Sequence, residues 1–571
     1  MSGELPPWAA EMRDLFRSGS AAQFLIYGNV FDVVPAGARM LALPAYLDEV
    51  MFASYDVVLR YDRSRGVRAT RGAKDWTDWL TNALGPERNQ SLLREPGSAL
   101  ELIDRFLLRT LNLQAIAEGG SAPRRIAVVI EFAEFVVPRG DALQLGGPFA
   151  ANVVKVLGWA NDPAIAQANI VTVLVSEALH DLNALVVENP HAAALHVPLP
   201  AASEMAAYVQ ALAASEFPQM AEQSDVSVAS VGDRMTGLSR VGARAGIALA
   251  LRNGKRLSTG WLSGIKKELI ERECQGLLEF IESPFTLEHV AGLDAVKTWL
   301  REDATLLKRQ AFHALPMGYL IAGRIGTGKT FLVQCWAGEL GIPCVVFKNF
   351  RDRWVGATES NLEKIFAVLR ALGQVLVFVD EADQASGRRD GGDGDSGLSG
   401  RVYAMLAKEM SDTRNRGRII WVFATSRPDL VEVDLKRQGR LDVHIPLFPP
   451  ESAGERRALL LAIARKLKFP LVESDLPALD EVSGLGGHEL EGVLVRALRI
   501  HELAPPPTRL LKEILGEVLR EVRPSPHTRK LEYMDLVAVK ECTDARFLPA
   551  RFKDLSPEEI ESRIDALKRF V

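Results

Sequence analysis

Residues Gly323 to Thr330 read GRIGTGKT: three glycines, then a lysine and a hydroxyl. Glycines let a backbone curl until several N–H groups converge, and such a nest holds phosphate oxygens. Lys329 would bring charge to the outer phosphates, and the Thr330 hydroxyl would serve Mg2+. Further along, QVLVFVDEAD puts Asp380 and Glu381 at the end of an apolar run. Asp380 there can hold Mg2+ through water, and Glu381 can polarise an attacking water. A solvated acidic pair at a strand end is the plainer alternative. RIIWVFATS ends on Thr425 and Ser426, whose hydroxyls either orient the water or make a turn. LKRQGRLD then offers Arg437 and Arg440. Loop arginines either sit solvated on the surface or stabilise charge on a neighbouring subunit's γ-phosphate. Trp354 and Val355, in NFRDRWVGATESNLEKIF, are either a core plug or a contact tip.

These groups need a frame that brings strand ends together. GYLIAG before the glycines reads as a strand, and FLVQCWAGEL after them as a helix whose N-terminal dipole faces the phosphates. MGYLIAG, IPCVVFK, QVLVFVDE and RIIWVFATS read as buried parallel strands. GGDGDSGLSG reads as a flexible loop. After Pro450 the pattern turns helical, with GERRALLLAIARKLK, GGHELEGVLVRALRIHEL and TRLLKEILGEVLREV, and APPP breaks the last two apart. SPEEIESRIDALKRFV carries a helix N-cap at Ser556.

The first half alternates strands and helices as well, which favours an α/β fold. LIYGNVFDVV, RIAVVIEF and NIVTVLVS read as strands and SEMAAYVQALAAS as a helix. A Gly/Ser-containing stretch from Ser224 to Gly246 precedes a helix over KKELIERECQGLLEFIES. NIVTVLVSEALHDLN parallels GRIIWVFATSRPDLV, and VVIEFAEF lies upstream of the first as VFVDEADQ does of the second. The halves therefore read as one fold used twice.

The chain has 571 residues and a formal net charge of −5, which argues against wrapping nucleic acid. Arg351 and Arg353 beside Trp354 leave a weaker single-strand reading open. Cys274, Cys335, Cys344 and Cys542 are scattered, with no metal-ligand spacing, and read as reduced thiols. No run of eighteen apolar residues reads as a membrane span, and MSGELPPWAAEMRDLF lacks the pattern of a secretory signal. The expectation is a cytoplasmic protein.

In their order, these motifs resemble the AAA family of ATPases, from roughly Phe285 to Ser525. The likeness opens at VAGLDAVKTWL and runs through LPMGYLIAGRIGTGKT, WVGATESN, VFVDEADQASGRRD, FATSRPDL and LKRQGRLD to SGLGGHELEGVLVRAL. The overall layout is similar to AAA proteins encoded in cyanobacteria and algal plastids, with a degenerate first half. The resemblance implies a P-loop α/β module with a parallel sheet and a helical lid, behind a degenerate AAA-like α/β domain. An unrelated α/β domain is the alternative for that first half. The expected boundaries are 1–283, 284–448 for the large subdomain, and 449–571 for the lid and C-terminal helices.

Roles follow by position. Gly323, Ile325, Gly326, Thr327, Gly328, Lys329, Thr330 and Phe331 form the Walker A cradle, and Asp380 and Glu381 are Walker B. Ser426 stands at sensor 1, usually asparagine, and Arg437 and Arg440 at the arginine fingers. Trp354 and Val355 stand in the pore loop, and Val290 and Ala291 at the adenine pocket, with Gly487 and His488 contributing from the lid. ATP and Mg2+ are the implied ligands. The implied partners are further copies of the chain in a ring, six being favoured, and an unidentified protein substrate. The first half has no GK[ST], and its Walker B counterpart VVIEFAEF carries Glu131 and Glu134 but no adjacent Asp-Glu pair, so no hydrolysis is expected there. Two functions stay open: a machine that remodels proteins, and a nucleotide-gated switch or scaffold slowed by Ser426.

Overall fold

The computed structural model describes residues 5–85, 93–116, 124–140, 146–166, 168–274, 276–347, 359–383, 396–469, 471–479, 485–503, 509–523 and 527–570. They divide into two compact units, one of residues 1–266 with 358–371, the other of 267–357 with 372–571.

The first unit is built on a six-stranded sheet. Its strands are β1 (Gln23–Gly28), β4 (Val57–Asp62), β5 (Gly66–Arg71), β6 (Ile126–Glu131), β7 (Ile170–Val175) and β8 (Ala192–Val197), while β2 (Val33–Ala36) and β3 (Arg39–Ala42) form a separate hairpin. The order is β5-β4-β6-β7-β1-β8, all parallel but for the edge pair β4–β5. Apolar runs such as IAVVI are buried because helices cover both faces of a parallel sheet.

The second unit repeats the plan with β9 (Leu278–Ile281), β10 (Gly318–Ala322), β11 (Cys344–Phe347), β12 (Val375–Val379), β13 (Ile419–Thr425) and β14 (Val443–Pro446). Its order is β9-β11-β12-β13-β10-β14, and again only the edge pair, β9–β11, is antiparallel. Strand for strand, β4, β6, β7, β1 and β8 correspond to β11, β12, β13, β10 and β14.

Register makes the correspondence residue by residue. Ile26 pairs with Val175 as Ile321 pairs with Ala424. Gly28 and Gly323 thus occupy the same place, both in the left-handed half of backbone space, with φ 98° and 151°. A Cβ on either would run into the next strand's backbone: at Gly28 it would lie 2.6 Å from the Val197 carbonyl oxygen, and at Gly323 it would strike that of Leu447.

The second unit continues into the helices Ala453–Lys466, Gly487–Leu503 and Leu511–Glu521, which share one core around Leu460, Leu490 and Ile514. The helices Thr528–Lys540 and Pro557–Leu567 form a separate core with Phe448. Ser556 caps the latter, accepting from the Glu559 N–H. No described helix is long and apolar enough to cross a membrane.

Four expectations need correction. LIYGNVFDVV is not one strand: the chain leaves the sheet at Gly28, as the second unit does at Gly323. Ser224 to Gly246 holds much helix, because Ser227 and Ser239 act as N-caps for Val228–Arg234 and Arg240–Arg252. KKELIERECQGLLEFIES is helical only to Glu273; LEFI is β9, whose apolar run pairs with β11. Residues 396–400 of GGDGDSGLSG begin the helix Ser396–Met410, whereas 391–395 lie outside the described residues. APPP and the Trp354–Val355 loop also lie outside them.

Candidate functional site

β10 is fully buried, and the chain leaves its carboxyl end through Gly323 into the loop that opens the helix Lys329–Leu340. The Gly323 N–H donates to Thr425 O at 3.2 Å, tying the loop to β13. The loop is further closed by Thr327 Oγ1 donating to Arg324 O at 3.0 Å. Lys329 Nζ folds back onto the carbonyls of Gly323 at 2.7 Å and Arg324 at 3.1 Å. Burial pulls the ammonium below the usual lysine range, while Asp380, Asp383 and Glu381 pull it back up. A lysine so placed is poorly hydrated and turned into the loop.

Two strands over, beyond β13, β12 delivers Asp380 and Glu381. The Thr330 hydroxyl, on the first turn of the helix, donates to Asp380 Oδ2 at 2.8 Å. A hydroxyl and a carboxylate at that separation, at the N-terminus of a helix, are the oxygen donors that Mg2+ selects, so the residues fit the ion. Glu381 has φ 51°, an uncommon conformation for a side-chain-bearing residue and one found where a site fixes a group. Its N–H donates to Asp380 Oδ1 at 2.9 Å, and the Ala382 N–H donates to Ala424 O at 3.0 Å. Asp383, which the motif reading passed over, accepts from Thr425 Oγ1 at 2.7 Å and locks β12 to β13. Ser426 follows Thr425, half-buried, at the same edge.

The lid segment reaches the loop too. The Gly487 N–H donates to Gly326 O at 2.9 Å, and a Cβ on Gly326 would lie 3.4 Å from the His488 ring. Phe331 packs beside Phe285 at 5.6 Å between ring centroids, with the Lys466 ammonium 5.8 Å from its own. Val290 is buried in the same core, Ala291 is half-buried, and Ile325 is exposed at 65%.

Arg437 and Arg440 are not part of this cluster. Asp442 N donates to Gly318 O, so their loop meets β10 at its amino end. The phosphate loop leaves the carboxyl end, roughly 15 Å away at the rise of a strand. Both arginines pair with Asp434, at 3.3 Å and 2.6 Å. Arg440 also donates to Ser411 Oγ at 3.2 Å, leaving Arg437, at 72% side-chain exposure, the more available.

Sequence reasoning missed a brace from the helix Thr528–Lys540. Asp535 lies 3.9 Å from the Arg324 guanidinium and 3.5 Å from that of Arg551. Burial nevertheless pushes its carboxyl up to about 6. Tyr533, on the same helix, donates to Asp429 at 3.1 Å, and the Arg427 guanidinium lies 5.0 Å from its ring centroid. The signal was legible as an acid inside the apolar run YMDLVAV.

Residues 319–448 match the model described as the ATPase family associated with various cellular activities (AAA). Residues 2–198 match an AAA+ chaperone N-terminal Rossmann-like domain, and 204–275 an AAA+ chaperone second helical domain. The chain is 34% identical over 226 residues to ATP-dependent zinc metalloprotease FtsH 2 of Symbiobacterium thermophilum, covering 38% of each chain. It is 30% identical over 262 residues to the Cell division cycle protein 48 homolog of Archaeoglobus fulgidus, covering 42% of this chain and 35% of that one. The chain thus spans well under half the length of the curated relatives it matches.

Proposed function

The chain belongs to the AAA family of ATPases, and from that premise we propose that it hydrolyses ATP at the 323–330 loop to remodel protein substrates, working as a ring of its own copies. The observation that carries the reading is the convergence of Lys329, Thr330, Asp380 and Glu381 at one sheet edge, with Thr330 bonded to Asp380. The loop N–H groups and the helix N-terminus bind and orient the phosphates. Lys329 exchanges its carbonyl partners for phosphate oxygens. Thr330 and Asp380 hold Mg2+, which when bound neutralises charge on the outer phosphates. Glu381, fixed by its backbone, holds a water and takes up its proton. Gly487 and His488 close over the loop from the lid, and Phe331, Val290 and Ala291 line the side toward the base.

The separation between the arginine loop and the phosphate loop supports the ring. Arg437 is too distant along β10 to serve its own site, so it serves the next subunit's. Trp354 and Val355 are proposed as the loop that grips substrate polypeptide, and the first half as an AAA-like domain without turnover. Ser426 favours a second reading, a slow nucleotide-gated switch, because serine reaches less far than asparagine. Sedimentation of Glu381→Gln with Mg-ATP tests the ring: a species several times the 62.6 kDa protomer is expected. A monomer at every nucleotide and protein concentration would refute it.

A further inference from the structure

At the carboxyl ends of β1, β6 and β7 the first unit has a cavity of about 230 Å³. It occupies the place at which the second unit carries its phosphate loop and acidic pair, but its lining is of another kind. By register, Phe132 stands where Glu381 does, and Phe31 lies in the loop after Gly28 as Gly326 lies in the loop after Gly323. Phe132 even keeps the backbone, with φ 53° against 51°. Their rings stand 5.7 Å apart at the rim. Val30, Leu43 and Leu47 line the apolar wall.

The floor is acidic. Arg60 is already held by Glu131 and by Asp48 at 3.2 Å, and Arg68 by Asp62 at 2.7 Å. Lys364, on the helix grouped with this unit, is bonded to Glu177 at 2.7 Å. Of the residues that line the cavity, Glu131, Glu134 and Glu177 are acidic and Arg60 is basic, a field that repels phosphate. Glu134 Oε2 is buried with no hydrogen-bond partner among the described residues, and burial raises this carboxyl above the usual glutamate range. An unpaired buried carboxylate oxygen is costly unless a donor arrives.

Size and rim define the donor. Pockets for small molecules run to roughly 300–1,000 Å³, so this one is closer to a single side chain. Phe31 and Phe132, which line it, are 60% and 46% exposed. Exposed aromatic clusters of this sort mark contact with another chain.

We propose that this cavity takes a lysine side chain presented by a polypeptide, with its ammonium on Glu134 and its stem between Phe31 and Phe132. No residue of the nucleotide site enters the inference, so it stands or falls apart from ATP turnover.

The test is fluorescence anisotropy with the full chain and a labelled Gly-Leu-Lys-Leu-Gly amide, against the same peptide bearing Nε-acetyllysine. The lysine peptide should bind about ten-fold more tightly or better, the scale of a charged hydrogen bond. Glu134→Gln should abolish that preference, and Phe132→Ala should weaken the lysine peptide several-fold. Equal binding of the two peptides, or a preference that survives Glu134→Gln, overturns the proposal. If Glu134→Gln fails to fold, competition on the unaltered chain decides: hexylamine should displace the lysine peptide and hexanoate should not, and the reverse order overturns it. Binding of hexylamine without binding of the peptide also overturns it, in favour of a free amine.

Discussion

Lys329 and Glu381 should fail in different ways when replaced. Lys329→Ala removes an ammonium turned into the phosphate loop, so nucleotide affinity itself should fall, by about ten-fold or more in a binding titration. Ser426→Asn places at the proposed sensor-1 position the longer amide usual there. It should raise turnover several-fold with little change in ATP affinity; an unchanged rate would remove Ser426 from the account of slow hydrolysis. The two arginines should separate as well. Arg440 is tied to Asp434 and Ser411, so Arg440→Ala should lower stability by about 1–2 kcal/mol in thermal unfolding. Arg437, exposed and paired only three residues away, should leave the melting temperature within a degree or two while lowering the assembled ATPase rate.

Among the elements, the helix Asp294–Lys308 shows how packing sets a pH response. Asp303 is buried in it against β10 and accepts from the Tyr319 hydroxyl at 2.7 Å. Burial raises its carboxyl from the usual 3.8 to about 6. The folded state therefore holds the proton more tightly than the unfolded chain. That contribution is fully present below about pH 4 and is lost as pH rises through 6, up to about 3 kcal/mol for a shift of this size. Asp303→Asn keeps an acceptor for Tyr319 without the charge. It should stabilise the protein at pH 8 and make almost no difference at pH 4; a gain equal at both would contradict the assignment. The strands carrying the site were legible because MGYLIAG and QVLVFVDE are apolar runs ending in polar groups. β9 and the helices after Ser227 and Ser239 were not, since a short apolar tail on a helix and isolated serines look alike in loops, caps and edges.

For the molecule as a whole, a sheet order repeated in two units is the organising fact. The sequence held it faintly: VVIEFAEF and VFVDEADQ differ in nearly every functional side chain, yet Phe132 and Glu381 share one backbone conformation. Glu134 with Ser176 and Asp383 with Thr425 stand at matching places in the two units. The strand ladder is set by apolar pattern and survives; the chemistry is set by a few residues and was exchanged. Asp535 was visible as an acid inside an apolar run, but its pairing with Arg324 was not, because the two lie far apart in the chain. On this account one half turns over ATP and the other cannot. Equilibrium dialysis of Glu381→Gln against Mg-ATP, with phosphate release followed in parallel, tests that most directly. The prediction is one ATP bound per chain and turnover reduced by about 10²-fold or more, the scale of a lost general base. Two ATP per chain, or hydrolysis at the unaltered rate, would contradict it.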